Sequence, residues 1–306
     1  MKNLFSLLII SLFWFSANAQ TTAEISSENT LPALQSDSES DLDQDYNAEE
    51  LPWHARRFKF TAGGFFPVNN TQVEVGKNDG SFGTEIDFEN DLGFKRNTAS
   101  FMGTFEWRIS RRSRAGFEYF YLRRTSSKVL ERDIEFGDNT YHVNTRVSAL
   151  MDNQILRVTY SYAFLSKPKY EVGLLIGAHI LLGDIGLKFE GTTAQAEYND
   201  SFNFTAPLPD VGIFGDFVLG KKFGLYANAN YFALKVNDID GKLTSFNLSL
   251  LYNVYKNFSL TAGYTGLFVD VDVEKEKLNG YFKWGYNGPT LTATYTFGDH
   301  ISFVKK

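Results

Sequence analysis

Four histidines come first, because a His beside a carboxylate and a hydroxyl can move the proton of a hydrolytic nucleophile. They are His54, His142, His179 and His300, in a chain of 306 residues without a single cysteine. The missing cysteines remove thiol nucleophiles, disulfides and zinc fingers from consideration. Neither His142 nor His179 has a Ser-x-Asn or Asp-x-His partner close by in sequence, and Asp299-His300 is adjacent rather than spaced. A triad built across distant segments is the form of catalysis left open.

Charged residues set into otherwise apolar or hydroxyl-rich runs form a second group: Lys59, Glu106, Arg108, Glu118, Arg157, Glu171 and Asp216. A lone buried charge is expensive, so opposite signs on neighbouring elements are expected to pair. Such a network either plugs an interior or lines a charged constriction. Acidic tips make a third group, with Asp238-Ile-Asp-Gly241 and the alternating Asp270, Asp272, Glu274 and Glu276. The first lacks the remaining ligands and closing Glu of an EF-hand. The alternation of the second puts its carboxylates on one side of an extended ribbon, where solvation or divalent ions bridging lipid phosphates would satisfy them. No phosphate loop or dinucleotide fingerprint appears, so neither a metal nor a cofactor is expected.

The elements that hold these residues are read from alternation. Ala99, Phe101, Gly103, Phe105, Trp107 and Ile109 take one side, and Ser100, Met102, Thr104, Glu106 and Arg108 the other. The same period of two runs through Leu156–Phe164, Phe246–Val254 and Leu291–Phe297, and it places successive side chains on opposite faces of a sheet. The polar faces carry Thr, Ser, Asn and Gly more than Lys and Glu, which suits an enclosed interior better than a watered face. Trp107, Phe164, Tyr170, Phe223, Phe258 and Phe297 gather beside short connections, as aromatic girdles do at a lipid–water interface. Short basic connections (Ser110–Ser113, Leu165–Lys169, Gly220–Lys222, Tyr255–Asn257) alternate with long excursions (Pro67–Thr98, Thr125–Asp152, Gly183–Pro209, Val236–Lys242, Val271–Gly280). The pattern predicts an all-β, transmembrane, antiparallel up-and-down barrel with long extracellular hairpins.

Ten strands are expected, near 57–66, 97–109, 114–126, 152–164, 170–182, 209–219, 223–236, 242–255, 258–271 and 280–298, with eight to twelve as the range. The apolar parity changes between Phe282, Trp284, Tyr286 and Leu291, Ala293, and a bulge at Asn287-Gly288-Pro289 is the expected cause. Phe136–Asn139 is expected as the tip of a long hairpin, and Asn237–Gly241 as a cap on the seventh and eighth strands.

Two segments precede this body. Residues 1–19 read as a secretory signal, with Lys2, the apolar stretch Leu4–Phe15 and Ala17-Asn18-Ala19 before a cut at Gln20. Residues 20–52 read as an acidic, disordered periplasmic segment, with nine carboxylates and no Lys or Arg between 21 and 50. The whole chain carries a formal charge of −6, which argues against a nucleic-acid partner. Residues 53–306 are the expected barrel.

Four stretches carry a resemblance: Gly288–Phe297, Gly83-Thr-Glu-Ile-Asp-Phe-Glu-Asn-Asp-Leu-Gly93, Ala206-Pro-Leu-Pro209 and Trp284-Gly-Tyr-Asn-Gly-Pro289. The first is similar to the C-terminal recognition strand of outer-membrane barrels, although nine residues follow its final aromatic. Together they resemble functionally uncharacterised outer-membrane β-barrel proteins of Gram-negative bacteria. The resemblance implies an outer-membrane location, lipids around the barrel, and engagement of the barrel-assembly machinery through the last strand. It implies no activity. The expectation is a non-enzymatic barrel with a structural or surface-interaction role, or a narrow channel for small solutes. A rim-active lipid hydrolase using His142 or His179 is the alternative.

Overall fold

The computed structural model describes residues 53–76, 83–136, 139–190, 197–236, 238–275 and 278–303. The signal sequence and the acidic segment lie outside the described residues.

Among the described residues fourteen strands form: β1 (Arg56–Phe65), β2 (Val68–Val75), β3 (Ile86–Asp87), β4 (Ser100–Arg108), β5 (Ser113–Val129), β6 (Ile134–Phe136), β7 (Asn139–Tyr141), β8 (Arg146–Lys167), β9 (Tyr170–Glu190), β10 (Glu197–Val218), β11 (Phe223–Val236), β12 (Ile239–Tyr255), β13 (Phe258–Lys275) and β14 (Leu278–His300). β1, β4, β5 and β8–β14 pair in that order, all antiparallel, and β1 pairs back onto β14. The ring therefore has ten strands, as the alternation predicts. β6 and β7 make a separate small hairpin, with Phe136 opposite Asn139.

The ring closes with a stagger. Partners followed from Phe58 pass through Trp107, Ala115, Tyr160, Ile176, Val211, Tyr231, Thr244 and Phe268 to Gly285. Directly, however, Phe58 pairs with Phe297, twelve residues further along β14. That offset tilts every strand against the barrel axis, by roughly 40° for a barrel of this kind.

Polarity is inverted relative to a water-soluble barrel. Thr290, Thr292, Thr294 and Thr296 are all buried in the interior, while Leu291 is 61% and Tyr295 51% exposed on the outside. Each of the six turn-side aromatics expected at a girdle, from Trp107 to Phe297, is exposed outward. Threonine is β-branched and favours the pleat, and its hydroxyl satisfies itself against a neighbour indoors. Thr294 does so with both Thr61 (3.0 Å) and Thr261 (3.2 Å).

Two expectations are corrected. No bulge occurs at Asn287-Gly288-Pro289, because β13 and β14 stay in register through all three residues. The even-numbered residues of β14 face inward throughout, so Trp284 (3% exposed) and Tyr286 are interior residues. The change of parity marks a change of interior chemistry, from hydroxyl to aromatic. On the other edge of β14 the partner does change, from β1 below to β2 above, where Phe66-Pro67 breaks the first strand. The Phe66 N–H donates to Pro289 O across this break at 3.0 Å. Secondly, the long excursions are largely strand. β9 continues to Glu190 and β10 begins at Glu197, paired from Glu190↔Glu197 down to Tyr170↔Phe217. These hairpins therefore stand well beyond the apolar belt.

Because the chain has no cysteine of its own, closure is open to a clean test. Ala62 and Ala293 are Cα partners across the β1–β14 seam, at the 4.5–5.5 Å typical of such pairs, within disulfide reach. Cysteines placed at both positions should form one intramolecular bridge that keeps the barrel's fast electrophoretic migration on mild heating. Failure to cross-link under oxidant would contradict the ten-strand closure.

Candidate functional site

The interior is divided along its axis, and charge occupies the end nearest the short turns. Arg108 and Arg114 stand opposite each other on β4 and β5, and Glu171 and Asp216 stand opposite each other on β9 and β10. Like charges facing across a ladder repel, so each pair needs the other. Between them runs β8, whose inward residues here are small: Ser161 in register with Arg114, then Ala163 and Ser166, the last two buried. The register of β8 against β9 shifts between Ala163 and Leu165, turning Ser166 inward. A small side chain and a hydroxyl leave room for the guanidinium groups to cross over.

The resulting contacts are dense. Arg108 makes a fork on Glu171, Nη1 to Oε1 at 3.0 Å and Nη2 to Oε2 at 2.8 Å. Arg114 also binds Glu171 Oε2 and reaches Asp216 Oδ2 at 3.0 Å. Ser166 Oγ donates to Glu171 Oε1 at 3.0 Å. Glu106 lies 3.7 Å from Arg114 and 3.5 Å from Lys59. Three cations and three anions thus balance, and Glu171 is wholly buried at their centre.

Higher in the lumen, eight residues along β9 from Glu171, His179 faces Asp210 of β10, with Nδ1 2.7 Å from Oδ2. The approach lies off the hydrogen-bonding axis. Arg157 Nη2 is 3.5 Å from Asp210 Oδ1. Glu118 stands opposite Arg157 in register but outside the ion-pair network. Of the seven charges expected to gather, Lys59, Glu106, Arg108, Glu171 and Asp216 share one cluster, while Arg157 belongs to the second. Pairing between neighbouring strands holds for Lys59 and Glu106, whereas Glu171 is reached over an intervening strand.

Above this the interior turns apolar. Phe65, Phe120 and Tyr286 pack with ring centroids 5.1–5.4 Å apart, and Trp284 joins at 5.5 Å. The conspicuous Gly83–Gly93 stretch supplies the lid. Ile86, Phe88 and Leu92 are buried against this layer together with Phe94, and Phe88 stacks on Phe94 at 5.6 Å. Glu89 receives Arg124 Nη1 at 2.5 Å and the Thr71 N–H at 2.8 Å. Gly93 turns the chain with φ of +77°, a conformation that suits glycine.

The opposite mouth has its own stopper. Trp53 and His54 are buried there, with Trp53 Nε1 donating to Lys221 O at 3.1 Å. His54 stacks on Phe303 at 5.7 Å with planes 1° apart, and Arg111 Nη1 binds Phe303 O at 2.6 Å. A void of about 40 Å³ remains between stopper and network. Burial pushes His54 down from 6.5 to about 4, with Arg108 and Arg114 acting in the same direction and Asp216 and Glu171 against it.

As for the other histidines, His142 is an exposed hairpin residue 3.4 Å from Asp133. Among the described residues their polar contacts are to carboxylates, Asp133 for His142 and Asp210 for His179, and not to a hydroxyl. Sequence reasoning missed Arg114 and Asp210, although each shares the inward parity of Glu118 and Asp216. It missed Glu89–Arg124 and the stopper as well, since those depend on how loops fold back.

A closed ten-strand ring with an apolar exterior and a filled polar-to-apolar interior has the fold of outer-membrane β-barrels. The outer-membrane protease OmpT from Escherichia coli shares it, at 13% identity and a TM-score of 0.54, over 82% of this chain and 100% of that one. The outer membrane protein AlkL matches with 11% identity and a TM-score of 0.37 over 91% and 100%. The Pseudomonas putida toluene transporter TodX matches with 11% and 0.30 over 82% and 94%. The first likeness is one of fold alone, and the lower scores of the other two add nothing to it. No protein-family model and no curated protein matches the sequence.

Two expectations follow. Glu171→Gln takes the carboxylate fork from buried Arg108 and leaves Arg114 with Asp216 and Glu106, so the barrel should lose about 3–5 kcal/mol, the usual cost of breaking a buried pair. Urea unfolding in detergent, read by heat-modifiable migration, measures it. The second concerns pH. Docked His54 is neutral, whereas undocked His54 titrates near 6.5. Between about 4 and 6.5 only the undocked state takes the proton, so docking is strongest above 6.5 and weakens as pH falls. Acrylamide quenching of Trp53 should therefore rise on acidification from pH 7 to 5, and His54→Gln should flatten that rise.

Proposed function

We propose that this chain is a non-enzymatic integral protein of the Gram-negative outer membrane: an ion-tight barrel with a structural and surface-interaction role. One observation carries the closed reading. The lumen is filled along its length by the Trp53–His54 stopper, the balanced charge network, the aromatic layer and the inserted Gly83–Gly93 stretch.

The exterior supports a membrane location. Phe101, Leu174, Ile176, Val211, Ile213 and Leu291 are each 57–61% exposed on the barrel wall. An apolar belt of that extent in water marks a membrane or partner surface. Aromatics edge it near the short turns, and the alternation of short basic turns with long hairpins supports a reading with the turns in the periplasm and the hairpins outside the cell. An exported precursor and insertion through the last strand complete the route, with outer-membrane lipids as the constant partner.

Hydrolysis at His179 has a single observation in its favour, the Asp210 contact. That pair is 4% or less exposed and sits beneath the aromatic layer, far from a lipid headgroup. The surface role is left to the tall hairpins of β5–β8 and β9–β10.

Purified protein in planar bilayers should leave the membrane without unitary conductance steps. Stable steps would overturn the closed reading in favour of a narrow solute channel.

A further inference from the structure

On the outer wall, the side chains of β13 change character within two residues. Leu260, Tyr264 and Phe268 are exposed and apolar or aromatic, and the next outward residues are Asp270, Asp272 and Glu274. β12 changes in step, from Leu250 and Leu248 to Thr244 and Lys242. If the apolar belt is the lipid contact, this boundary is the headgroup level of the outer leaflet.

A depression of about 330 Å³ opens on the wall at that boundary. Two neighbouring cross-strand rows line it. The lower row is Tyr231, Thr244, Phe268, Gly285 and Asn70, and the upper row is Lys242, Asp270, Lys283 and Gln72. Gly285 makes the hollow, since a Cβ there would lie 2.5 Å from the Phe268 ring. Lys242 and Lys283 flank Asp270 on either side, in direct register with it. Their Cα atoms are two strand spacings apart, about 10 Å, close enough for both ammonium groups to converge on one phosphate. Asp270 Oδ1 is shielded from solvent and has no hydrogen-bond partner among the described residues, an acceptor suited to a sugar hydroxyl. Lys283 stays positioned by the Tyr281 ring, 4.3 Å beneath its Nζ.

We infer that this depression binds the phosphorylated sugar headgroup of an outer-leaflet glycolipid. Lys242 and Lys283 hold the phosphate, Asp270, Gln72 and Asn70 bond the sugar, and Tyr231 and Phe268 receive the first methylenes of the acyl chains. The two lysines favour a phosphate over a neutral headgroup, and the acceptor between them favours a sugar over a simple phospholipid. The assignment rests on the outer-membrane reading above.

The test uses full-length purified protein in detergent, with native mass spectrometry reading retained lipid A, dephosphorylated lipid A and phosphatidylglycerol. Wild type should hold one lipid A per chain, and dephosphorylation should weaken it about tenfold, as loss of charge-assisted bonds implies. Lys242→Ala with Lys283→Ala should weaken lipid A to a similar degree, while the double arginine variant retains it. Both lysines are on the outer wall, and heat-modifiable migration verifies that each variant is folded. Equal retention of phosphorylated and dephosphorylated lipid, or equal retention by the alanine variant, overturns the site. So does phosphatidylglycerol held as tightly as lipid A. Density-gradient fractionation keeps the two readings apart: a chain absent from the outer-membrane fraction sinks the location, whereas a chain present there with unselective binding sinks only the groove.

Discussion

Closing a ten-strand sheet with a twelve-residue stagger leaves the ring without a free first or last strand, which a bilayer demands of any spanning sheet. It also fixes the width. Strands about 4.8 Å apart, tilted by roughly 40°, enclose a tube on the order of 10 Å in radius. Side chains as long as Arg or Phe reach most of the way to the axis from opposite walls. The interior must then be either filled or wet, and this sequence fills it. Everything else follows from how two incompatible sets of side chains share that tube.

They share it by height. At the short-turn end, charge is concentrated and balanced, with Glu171 gripped by two arginines across β8, whose inward residues there, Ser161, Ala163 and Ser166, are small. Removing those charges from water has a high desolvation cost, repaid only when each guanidinium and carboxylate finds its fork. At the long-hairpin end, Phe65, Phe120, Trp284 and Tyr286 pack on one another, although Trp284 Nε1 is buried without a hydrogen-bond partner among the described residues. Glu89 is buried there too, and Arg124 and Thr71 meet it. The boundary between the two regimes runs through β14, from Tyr286 to Thr290.

Sequence alternation carries the ring. A period of two with hydroxyls on one face and aromatics on the other is a local property, and it places β4, β5, β8 and β11–β13 close to where they are found. It failed where a rule assumed one kind of interior. Phe282, Trp284 and Tyr286 look like outward residues shifted by a bulge only if an interior must be polar; in fact the phase never slips. Arg114 and Asp210 lie on the inward parity and were within reach of the same reasoning. The pairing of His179 with Asp210 needed the β9–β10 register, and the burial of Glu89 needed the path of a loop. Neither is written in periodicity.

The stopper has a consequence for assembly order. Trp53 and His54 lead into the first strand of the ring, while Phe303 follows the last. The Ile301 N–H donates to Ala55 O at 2.9 Å, so the two segments meet as one small structure across nearly the whole sequence. That structure cannot exist in a half-built sheet, because its halves lie on opposite free edges until those edges find each other. The seal over the mouth therefore cannot form before the seam closes, and its presence distinguishes a closed molecule from one still gaping at the seam.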